Sequence, residues 1–192
     1  QLPVVDQITG HDERTIGSAF SDVISKSNMT LSSVELLNEE SVPKDAAAII
    51  INAPQKDFNK NDAQKVIDYL QKGGKAIIVG MYSETEMPNF ASILDTYGVS
   101  LTTGPIADND AQHYYNMGGP LYLLPNVNSS SYTGSLSGGY VYLPISLGIN
   151  YPQNSTTDDT ESTEESKTTY TSLLDTSDDA VAKNNPNSMQ DY

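Results

Sequence analysis

Cysteine is absent from the 192 residues, and so is any long apolar run. Without cysteine the chain has no disulfide, no thiolate nucleophile and no cysteine-ligated zinc site. No stretch approaches the roughly 18 consecutive apolar residues of a membrane-spanning helix, and no signal peptide is visible. We therefore expect a soluble chain, whose attachment to a membrane would need helices outside this sequence.

Positive charge is also scarce. Lys and Arg number 10 against 25 Asp and Glu, which gives a net charge of −15, and none of the 10 lies between Lys75 and Lys167. Nucleic-acid binding depends on cations that displace counterions from phosphates, so we exclude nucleic acid as a partner. The same scarcity disfavours phosphorylated ligands and anionic membrane surfaces as partners of the middle of the chain.

Strand and helix patterns alternate through the first hundred residues. The β-branched run at residues 4–8 predicts a strand, and the apolar spacing from Ile16 to Ile24 predicts a helix with Phe20 and Val23 on its apolar face. Further strands are predicted at residues 31–37, 46–51 and 76–80, and the last two are apolar enough to be buried on both faces.

Two more helices are predicted, one capped by Asn59 and one that begins at Pro88. The resulting β-α-β-α-β order predicts an α/β fold with a mainly parallel sheet. Right-handed crossovers would make it a doubly wound, flavodoxin-like, three-layer α/β/α sandwich.

The length of the chain predicts one domain over residues 1–183, with a βα core at 1–104 and a frayed tail at 184–192. Eight of the 12 tyrosines lie between Tyr97 and Tyr151, which predicts a Tyr- and Gly-rich β extension of the sheet over 105–151. Residues 152–169 carry five acids, one lysine and no apolar side chain, as is typical of a solvated loop. Residues 170–183 are predicted to return to the core.

Five segments occur in the order and spacing of a known group: "TGHDE" (9–13), "VPKDAAAIIINAPQKDF" (42–58), "YLQKGGKAIIV" (69–79), "PNFASILDTYGV" (88–99) and "SLLDTS" (172–177). Together they resemble the extracytoplasmic domain of GldG-type auxiliary components of ABC-2 transport systems. The resemblance implies a fold like that of class I glutamine amidotransferases and the intraflagellar-transport domain. It also implies a full-length protein anchored at the extracytoplasmic face of the cell membrane, with an ABC permease and ATPase as partners. The family has no agreed catalytic residues.

The loop after the first predicted strand holds Gly10, His11, Asp12 and Glu13. We favour a structural role, in which Gly10 permits a tight turn while Asp12 and Glu13 lie in the first turn of the helix, whose dipole favours carboxylates. The alternative is a ligand site at the carboxyl end of the strand. A metal site that joins His11 to His113, or a zinc-deacetylase-like use of the loop, is disfavoured because adjacent side chains diverge and the motif spacing differs.

The usual groups for catalysis are missing. The amidotransferase fold uses a cysteine nucleophile paired with histidine, and this chain has no cysteine. Ser83, which follows the predicted strand at 76–80, is the best-placed nucleophile, but no G-x-S-x-G elbow surrounds it. We therefore expect no catalytic residues, no metal and no cofactor.

The tyrosines of the second half offer a surface for interaction, and the candidates are Tyr114, Tyr115, Tyr122, Tyr140 and Tyr142. In the simplest interpretation Tyr140 and Tyr142 alternate along a strand at 140–143 and cover the edge of the core. We expect a non-enzymatic accessory domain of an ABC-type transport system that contacts transporter subunits or a second copy of the chain. The alternative is a carbohydrate-binding or carbohydrate-modifying surface domain, in which aromatic rings stack on sugars.

Overall fold

A computed structural model describes residues 2–136, 138–152 and 168–183 of the chain. The chain divides into two compact units, residues 1–96 and residues 97–192. The predicted acidic loop is described only at residues 152, 168 and 169, and the predicted tail lies outside the described residues. The expectation of a single domain over 1–183 stays a prediction.

The first unit contains a parallel sheet with helices between its strands. Its strands are β1 (Val4–Thr9), β2 (Thr30–Glu35), β3 (Ala46–Asn52) and β4 (Ala76–Val79), and its helices are α1 (Ser18–Lys26), α2 (Lys60–Gln71) and α3 (Pro88–Asp95). The strand order is β2-β1-β3-β4, and all three pairings are parallel. The predicted mixed α/β fold with a mainly parallel sheet is confirmed at this level.

The core of the first unit is built on β3. Ile49, Ile50 and Ile51 are all buried, as expected for a strand paired on both sides, and Val66 of α2 and Ile93 of α3 are fully buried as well. The prediction that β4 is equally buried is wrong. Ile77 and Val79 are largely exposed, because β4 is the last strand in the order and pairs only with β3.

Two polar side chains after β3 cap the starts of α2 and α3. Asn59 accepts a hydrogen bond from the backbone N–H of Asp62 at 2.9 Å, so the predicted cap of α2 is confirmed. Asp57 accepts from the backbone N–H groups of Asn89 and Phe90 and thereby caps α3 from a distant part of the chain. The loop after β3 is therefore anchored at the start of both helices.

The start of α1 differs from the prediction. The helix begins at Ser18, after Gly17, and no acidic residue lies in its first turn. Asp12 and Glu13 thus lie in the preceding loop, because Arg14 exchanges hydrogen bonds with Asn52 of β3 and holds this segment against the sheet.

The apolar face of α1 is narrower than its spacing predicted. Ile24 is buried, whereas Phe20 and Val23 are 42% and 56% exposed. Ile24 packs with Val5 and Ile50, and this small contact with the sheet accounts for the single buried side chain of the helix.

The second unit is built from antiparallel strands: β5 (Ser100–Asp108), β6 (Tyr122–Leu123), β7 (Asn126–Val127), β8 (Leu143–Pro144), β9 (Leu147–Asn150), β10 (Leu174–Asp175) and β11 (Ala180–Ala182). They form the sheets β11-β5-β9, β6-β8 and β7-β10. The described strands thus form sheets of their own and do not continue the parallel sheet, which corrects the predicted extension.

The predicted strand at 140–143 is also wrong. Only Leu143 belongs to β8, and Tyr140 and Tyr142 precede it in irregular chain. Gly138 and Gly139 before this segment and Pro144 within β8 limit regular pairing.

Across the described ranges, no helix is long and apolar enough to cross a membrane.

Candidate functional site

The strand order of the first unit places two loops side by side. The chain leaves β1 towards β2 on one side and later returns to β3 on the other, so the carboxyl ends of β1 and β3 flank the point where the order reverses. Ligands of open α/β sheets bind at this point. Here the backbone N–H groups of Gln55 and Lys56 both donate to the carbonyl of His11 at 3.0 Å, which joins the two loops directly.

The imidazole of His11 lies in the interior of this junction and is 5% exposed. Its Nδ1 is 2.9 Å from Glu13 Oε1, and its Nε2 is 3.5 Å from Asp62 Oδ2. The ring stacks on Phe58 with a centroid distance of 3.7 Å and an interplanar angle of 11°. A carboxylate therefore faces each ring nitrogen, and an aromatic ring covers one face.

Asp62 continues this set of contacts into α2. Its Oδ1 is 3.0 Å from Lys65 Nζ, and Asn59 donates to its Oδ2 at 2.6 Å. Lys65 also donates to the carbonyl of Leu36 at 2.7 Å, and its side chain is buried. We call Glu13, His11, Asn59, Asp62 and Lys65 the His11 network.

The polar side chains of the His11 network pair with one another. Buried charges are tolerated when each has a partner and a hydrogen bond, and here one histidine and one lysine alternate with two carboxylates. In the described part of the chain, no group of three or more His, Asp or Glu side chains is arranged to hold a metal ion. The geometry thus ties the loop after β1 to the first turns of α2.

The other predicted residues of this loop have local roles. Gly10 has a φ of +114°, a conformation that residues with a side chain rarely adopt. A Cβ at this position would lie 3.4 Å from Glu35 Cγ. Asp12 is exposed and lies 2.7 Å from Lys56 Nζ, where its carboxylate raises the pKa of that lysine. Ser83 accepts a hydrogen bond from the backbone N–H of Thr85 at 3.1 Å, a local turn that leaves it outside the His11 network.

His113 has partners of its own. Its Nδ1 is 3.0 Å from Asp110 Oδ2, and its Nε2 is 3.2 Å from Asn126 Oδ1. The hydrogen bond to Asn126 is the largest cause that raises the pKa of His113, and Asp110 acts in the same direction. Both ring nitrogens of His113 therefore have partners within the second unit.

Part of the predicted tyrosine set forms a cluster in the second unit. Tyr115 meets Tyr142 edge to face at 6.1 Å, and Tyr122 stacks on Tyr142 at 6.2 Å. The hydroxyl of Tyr115 lies 3.2 Å from the sulfur of Met117, a side chain that is 87% exposed. We call Tyr115, Met117, Tyr122 and Tyr142 the aromatic patch.

The remaining two tyrosines have other positions. Tyr114 forms an isolated backbone bridge with Leu123, whereas Tyr140 is 89% exposed and lines a separate cleft. Gly118 lies beneath the patch, where a Cβ would come within 2.5 Å of the Tyr122 ring. The structure therefore brings three of the five predicted tyrosines together.

Sequence reasoning missed Asp62, Lys65 and Phe58. An acid and a lysine three residues apart on a helix are typical of a solvated face, so their spacing gave no sign of burial. Phe58 follows the loop after β3, and its stacking on His11 joins residues 47 positions apart in the chain. Only the apolar character of Phe58 could have indicated a place in the core.

Comparisons with known proteins give a fold and no family. No family model matches the chain, and no curated protein matches it. A solved structure described as the mmIFT52 N-terminal domain superposes with a TM-score of 0.59 over 78% of this chain and 69% of that chain, at 14% sequence identity. The chain is thus similar in fold to that domain.

Proposed function

We propose that this chain is a non-enzymatic accessory domain of an ABC-type export or surface-assembly system, held at the extracytoplasmic face of the membrane and active through protein contacts. The single observation that carries the protein-contact role is the aromatic patch. Tyr and Met are enriched at protein interfaces, and here they lie together with one side chain almost fully exposed. The transport setting rests on the sequence resemblance to GldG-type components.

The net charge of residues 97–192 favours a different protein as the partner of the patch. Residues 97–192 contain 11 Asp and Glu against two Lys and no Arg. Two copies of this unit would repel each other, whereas a surface with basic residues around apolar ones would be attracted. We therefore assign the patch to the outer loops of the transporter permease.

Two features of the first unit support a role without catalysis. The polar side chains at the junction of β1 and β3 are engaged within the His11 network. Ala53, directly after β3, has a φ of +51°, the kind of strained strand-to-helix position where a nucleophile elbow holds its nucleophile. Alanine offers no nucleophile at that position.

The finer features of the fold belong to the same proposal. The order β2-β1-β3-β4 agrees with the first four strands of flavodoxin-like sheets. We extend this to a three-layer α/β/α sandwich of the class I glutamine amidotransferase type.

Site-specific crosslinking tests the proposal in the full-length protein in its native membrane. A photo-crosslinking amino acid at Met117 should capture the permease, and Tyr115→Ala with Tyr142→Ala should lower the yield of that product severalfold. The matched control places the same crosslinker at Tyr132, which is 79% exposed but lies outside the patch. Crosslinks only to a second copy of the chain, or equal permease capture from Tyr132, would contradict the assignment.

A further inference from the structure

A cleft of about 680 Å³ opens in the second unit beside β7. Its lining includes Gln112, His113, Asn126, Asn128, Ser129 and Tyr140. The side chains therefore supply amides, a hydroxyl, an imidazole and an exposed phenol ring. A cleft of this volume can hold a small oligosaccharide or another ligand of similar size.

Several polar atoms of the cleft remain available to a ligand. Asn126 uses its carbonyl oxygen on His113, and Asn128 uses its amide nitrogen on the carbonyl of Ser172 and on Asp175. Within the described residues, no hydrogen bond engages the side-chain amide of Gln112 or the hydroxyl of Ser129. The lining thus offers both donors and acceptors to a ligand.

The lining is close to neutral. It contains no Lys, Arg, Asp or Glu among its described residues, and the chain has no Lys or Arg from residue 76 to residue 166. The lining offers no Lys or Arg to bind an anionic ligand and no carboxylate to bind a cationic one. The polarity therefore suits a ligand that is rich in hydroxyls and carries no charge.

Tyr140 supplies a flat apolar surface at the same cleft. Its exposed ring lies at the rim next to Gly138 and Gly139, which place no side chain over it. A sugar ring presents C–H groups on its face and hydroxyls at its edge, so it can cover an aromatic ring while its hydroxyls bind amides.

We propose that this cleft binds a neutral oligosaccharide, with Tyr140 stacked on one sugar ring and Gln112, Asn126 and Ser129 bonded to its hydroxyls. The cleft shares no residue with the aromatic patch, and ligand binding there does not require the transport role. The proposed role of the described residues around β7 is binding without a chemical reaction.

Binding is tested with defined hexasaccharides of glucose and of N-acetylglucosamine as neutral probes and with hexagalacturonate as the anionic probe. Isothermal titration and saturation-transfer NMR on the 192-residue chain should detect at least one neutral probe. Gln112→Ala should weaken binding about three- to tenfold, the effect of one neutral hydrogen bond. Tyr140→Ala should weaken it at least as much, and Tyr140→Phe should retain it.

Two further variants make the test specific. Gly134 lines the cleft and a Cβ added there meets nothing within 4 Å, so Gly134→Leu should occupy part of the cleft without a clash and weaken binding. Tyr132→Ala removes an equally exposed ring outside the lining and should leave binding unchanged. The proposal is overturned if no neutral probe binds, if hexagalacturonate binds more tightly, or if Tyr140→Ala and Gly134→Leu bind like the unsubstituted chain.

Discussion

His11 shows how one buried residue can contact two carboxylates at once. Glu13 and Asp62 face its two ring nitrogens. A substitution at this position removes a partner from two buried carboxylates at once. The energetic effect should therefore exceed that of a lost surface hydrogen bond.

We expect His11→Ala to lower the free energy of unfolding by about 3–5 kcal/mol, because it removes the ring that stacks on Phe58 and takes one partner from each of two buried carboxylates. Urea unfolding followed by circular dichroism measures the change. Asp12→Asn, in the exposed neighbour, is the matched control and should change stability by less than about 0.5 kcal/mol. A loss for His11→Ala no larger than that of the control would show that the network contributes little.

The buried carboxyl group of Asp6 makes the stability of the folded chain depend on pH. It is buried in β1, and desolvation, followed by the nearby charge of Asp45, raises the pKa of its carboxyl group. A raised carboxyl pKa in the folded state means that stability from this group is present at low pH and is lost as pH rises from the unfolded pKa through the folded one. Ionisation of Asp6 therefore destabilises the folded state at pH 7.

Asp6→Asn should stabilise the protein more at pH 7 than at pH 3, where both forms are uncharged at this position. Denaturant midpoints of the two proteins at the two pH values give the comparison. The control is Asp68→Asn, an exposed carboxylate on α2. A benefit that is equal at both pH values, or larger at pH 3, would contradict the assignment to Asp6.

At the scale of the element, α3 depends on a cap from another segment. Asp57 accepts from the backbone N–H of Phe90 at 2.9 Å and of Asn89 at 3.1 Å, and it also accepts from the Asn89 side chain. Its charge lies at the positive end of the helix dipole. The carboxylate thus satisfies N–H groups that the first turn of the helix leaves free.

Asp57→Ala should lower the free energy of unfolding by about 2 kcal/mol, and Asp57→Asn by less because the amide oxygen can still accept. Thermal or urea unfolding measures both. Asp68→Ala removes an exposed carboxylate that accepts a hydrogen bond from the exposed side chain of Gln64, and it serves as the control. If Asp57→Ala and the control have the same effect, the cap does not stabilise α3.

The elements could be predicted where local chemistry and tertiary context agree. The apolar run of β3, the Asn59 cap of α2 and Pro88 at the start of α3 all behave as their patterns indicate. The face of α1 and the burial of β4 could not be predicted, because both depend on which neighbours cover them. An apolar pattern indicates which face of an element can be buried, but not whether a neighbouring element covers that face.

The candidate sites show the same limit. The sequence indicated the loop of His11 and the surface of Tyr115 and Tyr142, but not the geometry of either. His11 contacts Asp62 across 51 positions of sequence, and such a pairing leaves no local signal. For the tyrosines, composition pointed to residues 97–151, while only the fold separates Tyr140 from the aromatic patch.

At the scale of the whole molecule, the net charge of −15 has a direct effect on stability. Like charges repel most strongly in the compact state. At about 0.1 M, salt largely screens the repulsion between exposed charges that lie more than about 10 Å apart. We expect the free energy of unfolding to rise by on the order of 1 kcal/mol between 10 mM and 200 mM NaCl at pH 7. The rise should shrink near pH 4, where many carboxylates are protonated. Stability that falls with added NaCl at pH 7 would contradict this account.

The position of β1 in its sheet also sets conditions on how the chain folds. Val5 pairs with Leu31 on one side and with Ala48 on the other, so β1 cannot complete its pairing until residues far along the chain are present. Closing such loops costs entropy before any pairing repays it, which slows folding relative to proteins with local contacts. Until β3 arrives, the apolar side chains of β1 remain open to mispairing with other chains. Rapid synthesis of the segment from β1 to β3 would shorten that interval.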